Sequence, residues 1–84
     1  MFGKRMAILR MSMGLSQAKL STRLGVSSST VGMYEQGRRE PSLDMLVRIA
    51  RVLGVSTDYL LTGEMITTEE TAEAVLRLLS RVMG

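Results

Sequence analysis

The 84-residue chain has no cysteine, no histidine and no tryptophan, and only one proline and three aromatic residues. Without thiols there is neither a disulfide framework nor a thiolate metal site. Without imidazole the usual general base and the commonest metal ligand are both missing. No carboxylate pair and no glycine-rich phosphate loop stands in their place, so an enzyme, a metal centre or a cofactor site is not expected. The chain also lacks an apolar run of about 18 residues, the length needed to cross a membrane. It begins Met-Phe-Gly-Lys-Arg, but the apolar residues that follow are broken by Arg10 and Ser12. That is unlike a secretory signal, and a cytoplasmic protein is the expectation. A single small domain with an aliphatic core follows from length and composition, the eight methionines serving as filler.

Charge is what the chain does have, and it is unevenly placed. Residues 1–55 carry nine Lys and Arg against three Asp and Glu, a balance of +6. Residues 56–84 carry two against five, a balance of −3. The first part has the electrostatic character to meet a polyanion; the last part does not.

Apolar spacing predicts helices throughout. Phe2, Met6, Leu9 and Met13 form a stripe over residues 2–13, with Lys4 and Arg5 off it. Gly14 ends that helix and Leu15 turns back into the core. After the Gly-Arg-Arg-Glu-Pro loop at 37–41, Ser42 caps a helix with Leu43, Leu46, Ile49, Ala50 and Leu53 on its buried face. Gly54 closes it, and Ser56 opens a short helix with Tyr59 and Leu60 inward. Thr67-Thr68-Glu69-Glu70 is a capping box for a sixth helix, whose apolar stripe includes Val75, Leu76, Leu79, Val82 and Met83. Residues 1–63 read as one folded unit and 64–84 as a linker and amphipathic helix.

Residues 16–37 organise the rest. Ser16 caps a helix over 17–24 with Leu20 and Leu24 on one face, and Gly25 follows where a left-handed residue is needed. Ser27 caps a second helix over 28–36, with Val31 and Tyr34 inward and Ser28, Ser29, Gly32 and Met33 on the far side. A helix with an apolar back and a low-profile front suits the DNA major groove, about 12 Å wide. Taken singly, these residues have plainer readings. Ser27–Ser29 serve as a capping run, Arg38 and Arg39 as solvated loop charges, and Gln17 as a surface residue. Their joint placement on one side of one motif points to DNA.

Many fixed offsets agree together: Met6-x-x-Leu9-Arg10, Gly14-Leu15-Ser16-Gln17, Leu20, Leu24-Gly25-Val26-Ser27, Ser29-Thr30-Val31, Tyr34-Glu35-x-Gly37, Pro41-Ser42-Leu43 and Leu53-Gly54-Val55-Ser56-x-x-Tyr59-Leu60-Leu61. In these, residues 3–61 resemble the Cro/cI (Xre-like) helix-turn-helix family of phage and bacterial repressors. The resemblance implies an all-α, five-helix, lambda-repressor-like DNA-binding domain, here with a sixth helix at the C-terminal end. It implies that Ser28, Ser29 and Met33 face bases, and that Gln17, Ser27, Thr30, Gln36, Arg38 and Arg39 meet phosphates or make mixed contacts. It also implies that Arg10 and Glu35 pair inside the fold. Three departures stand out. Ser21 replaces the usual Ala where two helices cross. Gly32 lies within the recognition helix. Short or apolar residues occupy 28, 29 and 33 in place of long polar base readers, so direct readout is expected to be weak and DNA shape to carry more of the specificity.

The resulting expectation is a sequence-specific regulator, a repressor, that binds double-stranded DNA as a homodimer and no membrane. Its seam is either the sixth helix or the fifth helix with its preceding loop. The alternative for the sixth helix is docking on the first and fifth helices of its own chain. Two other readings of the whole are an antitoxin-type module gripping a protein partner and the controller protein of a restriction–modification system.

Overall fold

The computed structural model describes residues 2–64 and 76–81. Five helices follow one another: α1 (Phe2–Ser12), α2 (Gln17–Leu24), α3 (Ser28–Gln36), α4 (Leu43–Leu53) and α5 (Thr57–Thr62). Residues 76–81 are also helical, and no strand occurs among the described residues.

Local chemistry sets the helix ends. Ser16, Ser27, Ser42 and Ser56 are extended, and each hydroxyl accepts the backbone N–H three residues on, from Lys19, Thr30, Met45 and Tyr59. Each such cap stabilises by about 1 kcal/mol. At the other end of the same four helices stands a glycine in the left-handed region, at Gly25, Gly37, Gly54 and Gly63. Between α2 and α3 this leaves only Gly25, Val26 and Ser27, and Val26 folds down to pack against the core.

The helices close around Met6, Leu20, Leu24, Val31, Ile49 and Leu60, all fully buried. α3 packs on α2 and α1, and α4 packs on α2 and α5. Ser21 is 5% exposed, and its hydroxyl donates to the Ala18 carbonyl at 2.6 Å. A buried hydroxyl thereby replaces the expected methyl without an unsatisfied donor. Tyr34 is the aromatic residue of the buried core, and Phe2 packs against it partly buried.

Two expected core positions are not in the core. Met13 is 44% exposed: it follows the last residue of α1, Ser12, and lies in the final turn beyond the packed part of the stripe. Leu43 is 82% exposed. It sits at the rim of the α4 stripe and in its first turn, where side chains lean toward the helix N-terminus, past the packed interior.

Three contacts are not legible as spacing. Arg5 Nη1 donates to the Leu60 carbonyl at 2.8 Å, at the C-terminal end of α5. Arg48 Nη1 donates to the Leu24 carbonyl at 3.2 Å, at the end of α2. Both place a cation at the negative end of a helix. Gly3 is buried against the last turn of α3, so close that a Cβ there would lie 2.6 Å from the Glu35 carbonyl oxygen and 2.7 Å from that of Tyr34.

Candidate nucleic-acid interface

α3 presents Ser28 and Ser29 to solvent and leaves Met33 half-buried, while Val31 and Tyr34 point into the core. Gln17, Ser28, Ser29, Met33, Gln36 and Arg38 share one open recess of about 380 Å³, with Gly32 as its floor. Six of the residues singled out in the sequence are thus brought together on one face. Gly32 lies on that face as expected and is itself buried, with the Gln17 side-chain amide over it.

The frame behind this face is polar and fully paired. Arg10 Nε donates to Glu35 Oε2 at 2.7 Å and Arg10 Nη2 to Glu35 Oε1 at 3.2 Å, a two-point grip. The two side chains are 12% and 7% exposed. Arg10 Nη1 also donates to the Leu15 carbonyl at 2.8 Å, joining α1 to the start of the α2 turn. Gln17 Nε2 donates to Glu35 Oε1 at 3.0 Å. Glu35 therefore holds the end of α1 and the first residue of α2 at once. That tie fixes Gln17 at the helix N-terminus, where free backbone N–H groups favour an anion.

Ser27 and Thr30 do not line the recess. The Ser27 hydroxyl lies 3.0 Å from that of Ser29 and 2.8 Å from that of Thr30, besides accepting the Thr30 N–H. This cluster is first a cap; it leaves Ser28 with the one hydroxyl of the run that has no hydrogen-bond partner among the described residues.

Arg38 and Arg39 are exposed, and their side chains have no hydrogen-bond or ion-pair partner among the described residues. Arg38 borders the recess. Arg39 and Gln36 border a second cleft of about 440 Å³ between the start of α1 and the end of α3, and Lys4 lies in it with them. The sequence marks Lys4 only as off the apolar stripe. It reaches this side because Gly3 lets α1 approach α3 so closely, which spacing along the chain does not reveal.

A cationic rim around a short-fronted, capped helix is the geometry of a helix-turn-helix, and the comparisons agree. The family model described as Helix-turn-helix matches residues 6–60. The chain belongs to the Cro/cI (Xre-like) helix-turn-helix family. Over 63 residues it is 44% identical to the prophage-derived HTH-type transcriptional regulator YonR of Bacillus subtilis, covering 75% of this chain and 58% of that protein. The P22 c2 repressor bound to a synthetic operator superposes with a TM-score of 0.73 at 31% identity, covering 76% of this chain and 97% of that one. The restriction–modification controller protein C.AhdI of Aeromonas hydrophila gives a TM-score of 0.67 at 37% identity, covering 70% and 89%. This chain spans 54–58% of the length of the first three curated relatives. Its five helices are those of the lambda-repressor-like fold. No helix among the described residues is long and apolar enough to cross a membrane.

Of the residues expected in the C-terminal seam, Leu76 and Leu79 are helical and 65% and 50% exposed. Val75, Val82 and Met83 lie outside the described residues.

Proposed function

We propose that this chain is a sequence-specific, double-stranded-DNA-binding transcriptional regulator, a cytoplasmic repressor that acts as a homodimer. The observation that carries the reading is the face of α3 made by exposed Ser28 and Ser29 and half-buried Met33, flanked by Arg38 and Arg39, neither side chain paired among the described residues. α3 enters the major groove with Ser28, Ser29 and Met33 toward base edges. Gln17, Ser27, Thr30, Gln36, Arg38 and Arg39 meet the backbone, joined by Lys4. Relatives named as transcriptional regulators, and the P22 c2 repressor solved on its operator, support this assignment.

Residues 1–63 form the DNA-binding unit, and 64–84 supply a linker and the pairing element. One domain of this size reads few base pairs, so a second copy supplies the remaining specificity. All six described residues of the C-terminal helix, 76–81, are exposed, which favours its leucines as the seam. The likeness to a controller protein fits the same molecular act and differs only in the genes served.

Selection of bound duplexes from random DNA tests the reading. The expected result is a motif with two-fold symmetry, its half-sites about one helical turn, ~34 Å, apart. Failure to enrich any sequence over the starting pool overturns it.

A further inference from the structure

Gly3 lets α1 come against the end of α3, and neither it nor Gly37 has a side chain to fill the cleft between them. That cleft, about 440 Å³, is within the size range of small-ligand sites. It is distinct from the recess in front of α3, although Gln36 borders both. Its wall is mainly apolar, with half-buried Phe2 and buried Tyr34 as the aromatic part.

Tyr34 is 4% exposed, yet its hydroxyl has no hydrogen-bond partner among the described residues. Buried tyrosine hydroxyls ordinarily have one. No fully buried side-chain polar atom is left unpaired among the described residues, so the tip of this hydroxyl reaches open space.

The charge around the cleft is small and positive. Lys4 and Arg39 are exposed, and their side chains have no partner among the described residues. Glu35 is neutralised by Arg10, and exposed Glu40 offsets one of the two cations. A single net positive charge beside an apolar wall suits a monoanion with a flat apolar body better than a phosphate dianion or a cation.

We propose that the cleft between α1 and α3 binds a small aromatic carboxylate, and that this ligand weakens DNA binding. The carboxylate meets Lys4 and Arg39, the ring lies along Phe2, and the Tyr34 hydroxyl supplies a hydrogen bond. Arg39 and Gln36 are then drawn away from the DNA backbone, so ligand and duplex oppose each other reciprocally. That opposition rests on the DNA-binding reading above; the cleft as a binding site does not.

The test titrates the full chain with naphthoate and with naphthamide, which has the same rings and no charge, and follows backbone amide NMR shifts. Naphthoate is expected to bind about 5-fold more tightly, the upper value of an exposed ion pair, with shifts centred on residues 2–4 and 34–40. The double variant Lys4→Gln/Arg39→Gln loses this preference, whereas Arg23→Gln, which removes an exposed cation of α2, keeps it. Tyr34→Phe lowers naphthoate affinity by about 5-fold, one hydrogen bond, and binds the selected duplex as the wild type does. Naphthoate lowers affinity for that duplex in the wild type, and less so in Tyr34→Phe at the same concentration. No binding of naphthoate, equal binding of the two probes, or a preference that survives loss of both cations overturns the site. Naphthoate affinity unchanged in Tyr34→Phe overturns the role of the hydroxyl. Naphthoate bound at the cleft with duplex affinity unchanged overturns the opposition and leaves the DNA reading intact. Absence of selective duplex binding overturns the DNA reading and the opposition with it, and the naphthoate titration then decides the site by itself.

Discussion

Gly3 lies against the C-terminal turn of α3 with no room for a side chain: a Cβ would stand 2.6 Å from the Glu35 carbonyl oxygen. The atom it would strike is backbone, so no rotamer change relieves the clash. α1 must move away from the helix that carries the site, and Lys4 moves with it.

Gly3→Ala is therefore destabilising, by about 1–3 kcal/mol, the usual range for overpacking a close contact. An exposed helical glycine changed to alanine would be stabilising by up to ~1 kcal/mol. Urea denaturation decides between the two by sign alone. A midpoint that rises in Gly3→Ala contradicts the close approach.

Arg10 and Glu35 form a nearly buried pair, and removing one partner strands the other. Arg10→Met leaves the Glu35 carboxylate without its cation, with the Gln17 amide as its remaining donor, and the Leu15 carbonyl without the Arg10 donor. A loss of about 3 kcal/mol is expected, and the double variant Arg10→Met/Glu35→Leu recovers part of it. A double-mutant cycle measures this. Additive losses would show that the pair is not coupled.

Arg38 borders the recess but its side chain has no partner among the described residues, so truncating it spares stability and weakens binding. Arg38→Ala lowers affinity for selected and unselected duplexes alike and reduces the slope of log K against log salt by about 1. Salt titrations of both duplexes provide the check. Loss confined to the selected duplex would make Arg38 a base reader.

Leu79→Asp places a charge on the exposed stripe of residues 76–81. Where the wild-type chain sediments as a dimer, the variant is expected to sediment as a monomer with its thermal unfolding unchanged. A persisting dimer moves the seam to α5, where Leu61 is 48% exposed, and Leu61→Asp becomes the decisive variant.

The sequence shows α2 to α5 almost residue by residue, because their ends are written locally. Ser16, Ser27, Ser42 and Ser56 before each helix, and a glycine after it, need no knowledge of the rest of the fold. The Arg10–Glu35 pair comes from the family resemblance, and the Gln17–Glu35 tie behind it does not. What spacing misses is where helices meet. Arg5 and Leu60 are 55 residues apart, and Arg48 and Leu24 are 24 apart. Off the stripe, each arginine looks like a surface cation, whereas both are anchored on helix carbonyls. Periodicity also says which side is apolar but not where the core stops, which is why it puts Met13 and Leu43 inside. Gly32 can be flagged from its position in a helix, but only the overlying amide shows that it lies at the bottom of a recess.

The residues that make the fold and those that would choose the target scarcely overlap. The core leucines and the Arg10–Glu35 grip sit behind α3, while Ser28 and Ser29 are exposed, the Ser29 hydroxyl touching only the Ser27 cap. New side chains at these two positions disturb no buried contact. Such a scaffold can acquire a different target by one or two codon changes, with no repair needed in its interior.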